Sequence, residues 1–300
     1  MKKTLLVLLG PTGIGKSELS IHLAKGFQIE IISCDSRQIY RELSVGTAVP
    51  PPESMQKVKH HLIHSHSLHE YYSASRFESD VLSLLEQLFR DKNTVLMTGG
   101  SMLYIDAVCR GLDELPEADP ELRAALLREY QEKGIEHLRL QLRQLDPDYY
   151  GQVDLKNPKR LLHALEICMS TGKPYSCLRT NTQKKRPFSI LKIGLNMERS
   201  ELYRRINARV DCMLENGLEE EARRVYAYRK LNALNTVGYK EMFSFFDGKT
   251  SRNKAVELIK RNSRRYARRQ LSWFRRDPEI HWFSPLQQNE ISRFIQSKLS

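Results

Sequence analysis

Apolar residues follow two rhythms along the chain. Five short runs, at 4–9, 29–33, 94–98, 190–195 and 280–283, are almost unbroken by polar positions and rich in leucine or β-branched residues. Runs of that length and continuity predict strands buried on both faces. Between them the spacing changes to a helical pattern, as over 17–25 and 77–89. Strands alternating with helices predict an α/β fold, a mostly parallel sheet covered by helices. About 90 residues separate the third run from the fourth, more than one crossover needs, so an inserted helical subdomain is expected there. Within it, Asp119-Pro120 and Asn157-Pro158 each place a capping side chain before a proline at the first helical position, and Gly134 and Gly172 stand where helices stop. The insertion is bounded at 113–186. Residues 1–112 and 187–283 are then two parts of one core, and 284–300 form a C-terminal tail.

Composition narrows the classes of function. The 300 residues carry 48 Lys and Arg against 36 Asp and Glu, a formal charge of +12, and the 40% hydrophobic fraction excludes a disordered chain. A basic surplus concentrates polyanions, which makes nucleic acid, an anionic membrane or phosphorylated ligands the expected partners. The longest apolar stretch, 5–9, is far short of the roughly 20 residues that span a bilayer, so a cytoplasmic protein is expected. The five cysteines are scattered and form no C-x-x-C pair. Neither a disulfide framework nor a zinc site is indicated, and all five are expected reduced.

Residues Gly10-Pro11-Thr12-Gly13-Ile14-Gly15-Lys16-Ser17 match G-x-x-x-x-G-K-[ST] between an expected strand and an expected helix. Glycines let backbone N–H groups converge on phosphate oxygens, Lys16 adds a point charge, and the Ser17 hydroxyl can ligate Mg²⁺. The second strand leads into Ser33 to Tyr40, whose Asp35 falls at the carboxyl edge of a parallel sheet, beside the P-loop. Asp35 is there either a general base or a turn cap. The third strand ends in Thr98-Gly99-Gly100, where a Walker-B motif would carry an acid. A motor ATPase is thereby disfavoured, while a P-loop nucleoside or metabolite kinase using Asp35 as base, and a non-catalytic RNA-binding protein, remain open.

Several segments in order resemble the signatures of the bacterial tRNA dimethylallyltransferase family, also called tRNA isopentenyltransferases or the IPP transferase family. They are Gly10 to Ser17; Ser33 to Tyr40; Gly46-Thr47-Ala48; Gly99 to Tyr104; Leu115-Pro116-x-Ala118-Asp119-Pro120; Ala164-Leu165-Glu166; Val237-Gly238-Tyr239; and Arg264 to Arg275. The resemblance implies a P-loop NTPase/kinase-like parallel sheet with a tRNA-binding helical insertion. It implies transfer of a dimethylallyl group from its diphosphate to N6 of the adenosine 3′ to the anticodon, in tRNAs reading codons that begin with U. The partners would be the tRNA anticodon loop and dimethylallyl diphosphate, with no membrane, and the chain would act as a monomer.

The same resemblance implies roles for residues. Asp35 would be the general base and Arg209, second arginine of Arg205-Ile206-Asn207-Ala208-Arg209, would stabilise the leaving diphosphate; without the family, both arginines would be read as solvated. Gly10, Thr12, Gly13, Ile14, Gly15, Lys16 and Ser17 would hold that diphosphate, with Mg²⁺ as cofactor on Ser17. Asp35, Ser36, Arg37 and Gln38 would surround the flipped adenine, and Ser101, in place of a more usual threonine, and Arg123 would also touch tRNA. Contacts are expected too from Lys159, Arg160 and His163, in a segment where Asp154, Lys156, Asn157 and His163 depart from the family's H-P-N-D-x-x-R-x-x-R.

From Arg252 to Arg276 the chain has ten Lys or Arg and one acid, Glu257, interleaved with Tyr266, Trp273 and Phe274. Such a helix can track phosphates, with Arg264, Arg268 and Arg269 as candidate contacts, while Trp273 and Phe274 are expected to pack. Five of nine histidines, His60, His61, His64, His66 and His69, crowd ten residues. They are read as a surface or substrate-side segment rather than a metal site.

Overall fold

The computed structural model describes residues 2–113, 115–116, 119–180 and 182–299. Ala118 of one family signature, Asn181 at the exit of the insertion, and both chain ends lie outside the described residues. The chain divides into two compact units, 1–109 with 186–300, and 110–185.

The first unit is a parallel sheet of six strands, β1 (Thr4–Leu9), β2 (Ile31–Cys34), β3 (His60–His61), β4 (Thr94–Gly99), β5 (Ser189–Leu195) and β6 (Ile280–Phe283), in the order β3-β2-β4-β1-β5-β6. All pairings are parallel, as the alternation of strands and helices predicts. β1 is central and every residue of it is buried. Because side chains alternate across a strand, Leu5, Val7 and Leu9 enter one apolar cluster and Leu6 and Leu8 another, one on each face of the sheet.

Helices Ala74–Asp91, Met102–Arg110 and Leu218–Val225 give apolar side chains to the first cluster, and Lys16–Phe27 to the second. The segment read from sequence only as a C-terminal tail contains a helix, Gln288–Leu299, whose Ile291 and Ile295 are fully buried in the second cluster. The four-residue spacing of those isoleucines was its signal. Trp273 and Phe274 pack against the first cluster, as expected.

The second unit is helical and has its own core, in which Leu138, Leu142, Leu161 and Leu165 are fully buried. Its two long helices, Pro120–Leu145 and Pro158–Thr171, begin where the sequence placed caps: Asp119 accepts from Glu121 and Leu122 N–H, and Asn157 from Arg160 N–H. Gly134 interrupts the first with non-helical backbone, and Gly172 ends the second in the left-handed region. The boundary between the units, at residues 110 and 185, lies within three residues of the sequence-based one. No described helix is long and apolar enough to cross a membrane, and none of the five cysteines is in a disulfide.

Candidate active site

The carboxyl ends of β1, β2 and β4 converge, as they must in a parallel sheet whose first strand lies between two later ones. β1 runs into the P-loop, and the helix that follows starts at Gly15 with no side chain capping it, leaving its first N–H groups open to an anion. Gly13 has φ 80°, and a Cβ there would sit 2.8 Å from the Ile206 side chain, so only glycine fits. Thr12, Gly13, Gly15, Lys16 and Ser17 line a cavity of about 360 Å³. Gly10 and Ile14 do not. Ile14 is fully buried in the apolar core, while Gly10 and Pro11 accept from Lys16 Nζ through their carbonyls, both at 2.9 Å. The glycines at the end of β4 have a steric cause as well: a Cβ at Gly99 would lie 1.9 Å from the Cys34 carbonyl oxygen, which forbids a Walker-B acid at that position.

A second cavity, of about 310 Å³, is lined by Ser36, Arg37, Ser101, Gly46 and Thr47 among others. The two cavities share four lining residues: Thr12, Asp35, Arg209 and Tyr266. Asp35 Oδ1 accepts from the N–H groups of Arg37 at 2.9 Å and Gln38 at 3.3 Å. The turn-cap role is therefore real, yet Oδ2 has no hydrogen-bond partner among the described residues, which leaves it open for chemistry. Arg209 Nη1 donates to Thr12 Oγ1 at 3.1 Å. Half-buried on a helix whose Leu202, Ile206 and Val210 face the core, it is not the solvated arginine that charge pattern alone indicates.

This junction is electropositive. Burial, reinforced by the Arg209 charge and opposed by Asp35, pushes the Lys16 ammonium down to about 7. A diphosphate bound here would favour charged Lys16, so its binding would take up a proton where free Lys16 is neutral. The contribution of Lys16 to affinity is therefore full below about pH 7 and weakens as pH rises through it. Calorimetry in buffers of different ionisation enthalpy is expected to show more proton uptake per diphosphate bound at pH 8 than at pH 6. Lys16→Arg, permanently charged, should abolish the uptake; equal uptake at both pH values would disprove the linkage.

The expected adenine-side residues divide between the cavities. Ser36, Arg37 and Ser101 line the second, with Ser36 N–H donating to Ser101 Oγ at 2.9 Å. Gln38 lines the first, and its side chain is saturated: Nε2 donates to the Thr47 and Ala48 carbonyls and Oε1 accepts from Ser33. Arg123, Lys159, Arg160 and His163 belong to the helical unit. There Arg123 is paired with the buried Glu166 carboxylate at 2.7 Å, while Lys159, Arg160 and His163 are exposed. On helix Arg252–Phe274, Arg268 and Arg269 are exposed, whereas Arg264 is held by Asn207 Oδ1 at 2.6 Å.

The histidines are occupied separately. His61 pairs with Glu30, His60 with the Val58 carbonyl, and His64 lies against Ser44, with only His60 also lining the first cavity. No three His, Cys, Asp or Glu side chains among the described residues are grouped as metal ligands.

Three residues of the site were given no role in it by the sequence reading. Arg205 lines the first cavity beside Gly15. Tyr266, named there only as an interleaved aromatic, stands between the two cavities. Gln270, buried, accepts from Thr12 N–H at 2.9 Å and donates to the Gly100 carbonyl at 2.8 Å, tying the basic helix to the P-loop and to the end of β4. The signal for Gln270 was a lone uncharged amide on the stripe Ile259, Ala267, Phe274, where a buried polar group demands partners.

The chain is similar to known proteins over nearly its whole length. A family model described as IPP transferase matches residues 38–277. The chain is 54% identical to tRNA dimethylallyltransferase 1 of Bacteroides fragilis over 99% of both chains, and 57% identical to its Porphyromonas gingivalis counterpart over 94% of both. Among solved structures, the full-length tRNA isopentenylpyrophosphate transferase of Bacillus halodurans superposes with a TM-score of 0.72 at 35% identity, covering 99% of this chain and 97% of that one. A eukaryotic dimethylallyltransferase acting on tRNA gives 0.78 at 26% identity, covering 98% and 77%. With a family model matching 38–277 and 54 to 57% identity to these enzymes over nearly its whole length, the chain belongs to the IPP transferase family.

Proposed function

We propose that the protein transfers a dimethylallyl group from dimethylallyl diphosphate to N6 of the adenosine 3′ to the anticodon, in tRNAs reading codons that begin with U. The observation that carries this reading is the junction of the two cavities. A diphosphate on the P-loop fills the first, a flipped adenine enters the second, and Asp35 and Arg209 border both. As the bond from N6 to the allylic carbon forms, the carbon–oxygen bond breaks and its electron pair goes to the diphosphate. Lys16 and Arg209 offset the charge that gathers there, and Asp35 takes the proton that N6 sheds.

Mg²⁺ is the proposed cofactor. Mg²⁺ sites of this kind use one or two protein oxygens, substrate phosphates and water, and the Ser17 hydroxyl fits that need: it lines the first cavity and has no hydrogen-bond partner among the described residues. When bound, the cation supplies further neutralisation of the leaving diphosphate. A monomer acting on tRNA in the cytoplasm is part of the same proposal.

Incubation with labelled dimethylallyl diphosphate, Mg²⁺ and unmodified tRNA is expected to place label in tRNA and release diphosphate. The prenyl donor should raise the melting temperature more than ATP does. Protection by ATP with phosphorylation of a metabolite, and none by the prenyl donor, would favour a kinase.

Arg268 and Arg269 are expected to bind tRNA phosphates. Replacing both with Ala should weaken tRNA binding and reduce the slope of log affinity against log salt by about one for each phosphate no longer neutralised, with donor affinity unchanged. An unaltered slope would assign them to solvent.

A further inference from the structure

Glu221 is a buried carboxylate of the sheet unit that accepts four hydrogen bonds, and transfer chemistry as outlined gives it no part. It lies on the short helix Leu218–Val225 and is 1% exposed. Three consecutive backbone N–H groups point at it: Ser44 at 2.8 Å and Val45 at 2.9 Å donate to Oε2, and Gly46 at 2.8 Å to Oε1. The Tyr239 hydroxyl donates to Oε1 at 2.6 Å. Burial and this carboxylate together raise the Tyr239 phenol, which stays protonated as a donor.

The loop so gripped is shaped for it. A Cβ at Gly46 would meet the Tyr239 ring and hydroxyl at 2.6 Å, so the backbone lies directly on the tyrosine. Ala48 is held at φ 50°, a left-handed conformation that a residue with a side chain adopts only where its surroundings enforce it. Gly46 and Thr47 line the second cavity, as do Leu218 at the start of the Glu221 helix and Gly238 beside Tyr239. The Thr47 and Ala48 carbonyls also hold Gln38 Nε2, and the Gln38 N–H reaches Asp35.

From this geometry we infer that Glu221 is a positioning residue for the acceptor: by clamping 44–46 and Tyr239 it fixes the cavity wall against which the target base is seated. The inference rests on the transfer reading, since it takes the second cavity as the adenine's. It also gives a task to two family signatures that the chemistry leaves unused, Gly46-Thr47-Ala48 and Val237-Gly238-Tyr239. Neither segment lines the donor cavity, which the clamped loop reaches through Gln38 alone, so the larger consequence falls on the acceptor.

The test uses the full chain with labelled donor and an unmodified tRNA transcript. In Glu221→Gln, amide hydrogen exchange over 44–48 is expected to rise. The kcat/KM for tRNA should fall by about tenfold or more, while Kd for dimethylallyl diphosphate stays within about twofold. Tyr239→Phe and Gly46→Ala keep the carboxylate and carry the same test should Glu221→Gln fail to fold; each is expected to lower kcat/KM for tRNA with donor Kd unchanged. A lowered melting temperature with kcat/KM for tRNA intact, or an equal loss of donor affinity, overturns the inference and makes Glu221 merely structural. Unchanged exchange over 44–48 overturns it whatever the activity. Absence of transfer by the parent protein instead defeats the transfer reading, and the kinetic half of the inference with it.

Discussion

Asp35→Asn is expected to slow single-turnover dimethylallyl transfer by about 10² to 10⁴ while leaving the fold and donor affinity nearly intact. Asn keeps the size of Asp and one acceptor oxygen, and Oδ1 already has a fixed task, accepting from the Arg37 and Gln38 N–H groups. The amide oxygen can continue that task, so the turn at the end of β2 survives. Its NH₂ group then occupies the position of Oδ2, at the junction of the two cavities, and cannot take a proton. The defect therefore belongs to the bond-forming step, and rapid quench with both substrates saturating isolates it from product release. Transfer within about threefold of the parent in a folded Asp35→Asn variant would return Asp35 to its turn-capping role alone.

Asp35 also shows how far sequence carried and where it stopped. The strand–loop–helix context of the P-loop and the parallel order place Asp35 beside the phosphate site from local pattern alone. Two alternatives for its side chain stayed open because a turn cap and a base need the same residue in the same place; the structure assigns one oxygen to the turn and leaves the other without a hydrogen-bond partner among the described residues. Ile14 fits the motif, yet its side chain belongs to the core, because a motif fixes backbone geometry at its variable positions and says nothing of where their side chains go. β3 was illegible, since its two residues, His60 and His61, carry no apolar run and pair only with Ile31 and Ile32. Arg205 and Arg209 read as solvated in isolation; their helix packs Leu202, Ile206 and Val210 inward, and the neighbouring face meets the P-loop, bringing together segments about 190 residues apart. Glu221 and Gln270 are of the same kind. Each is polar at a core position, which local pattern marks as odd, but their partners at Ser44–Gly46, Thr12 and Gly100 are distant in sequence and appear only once the chain has folded.

Arg209→Ala is the second substitution expected to have a large effect, by a different route. The guanidinium borders both cavities and is anchored through Nη1 to Thr12 Oγ1. Its remaining donors can meet a diphosphate oxygen as the allylic carbon–oxygen bond breaks. A preorganised donor facing a charge that develops during reaction contributes about 10² to 10³ in rate, so single-turnover transfer should fall by about that factor. Unlike Asp35→Asn, this change should also weaken the donor complex, because the ground-state diphosphate is already charged. It has a further signature. Arg209 is one of the causes that lower Lys16, so its removal should raise the Lys16 ammonium above its present value near 7 and shrink the proton uptake on donor binding at pH 8. Arg209→Lys should return part of the rate, since it restores the charge without the planar fork that reaches Thr12. Slower transfer in Arg209→Ala with proton uptake at pH 8 unchanged would show that the guanidinium does not act on Lys16. A rate loss below about tenfold would leave Lys16 and the helix N-terminus to stabilise the leaving group without it.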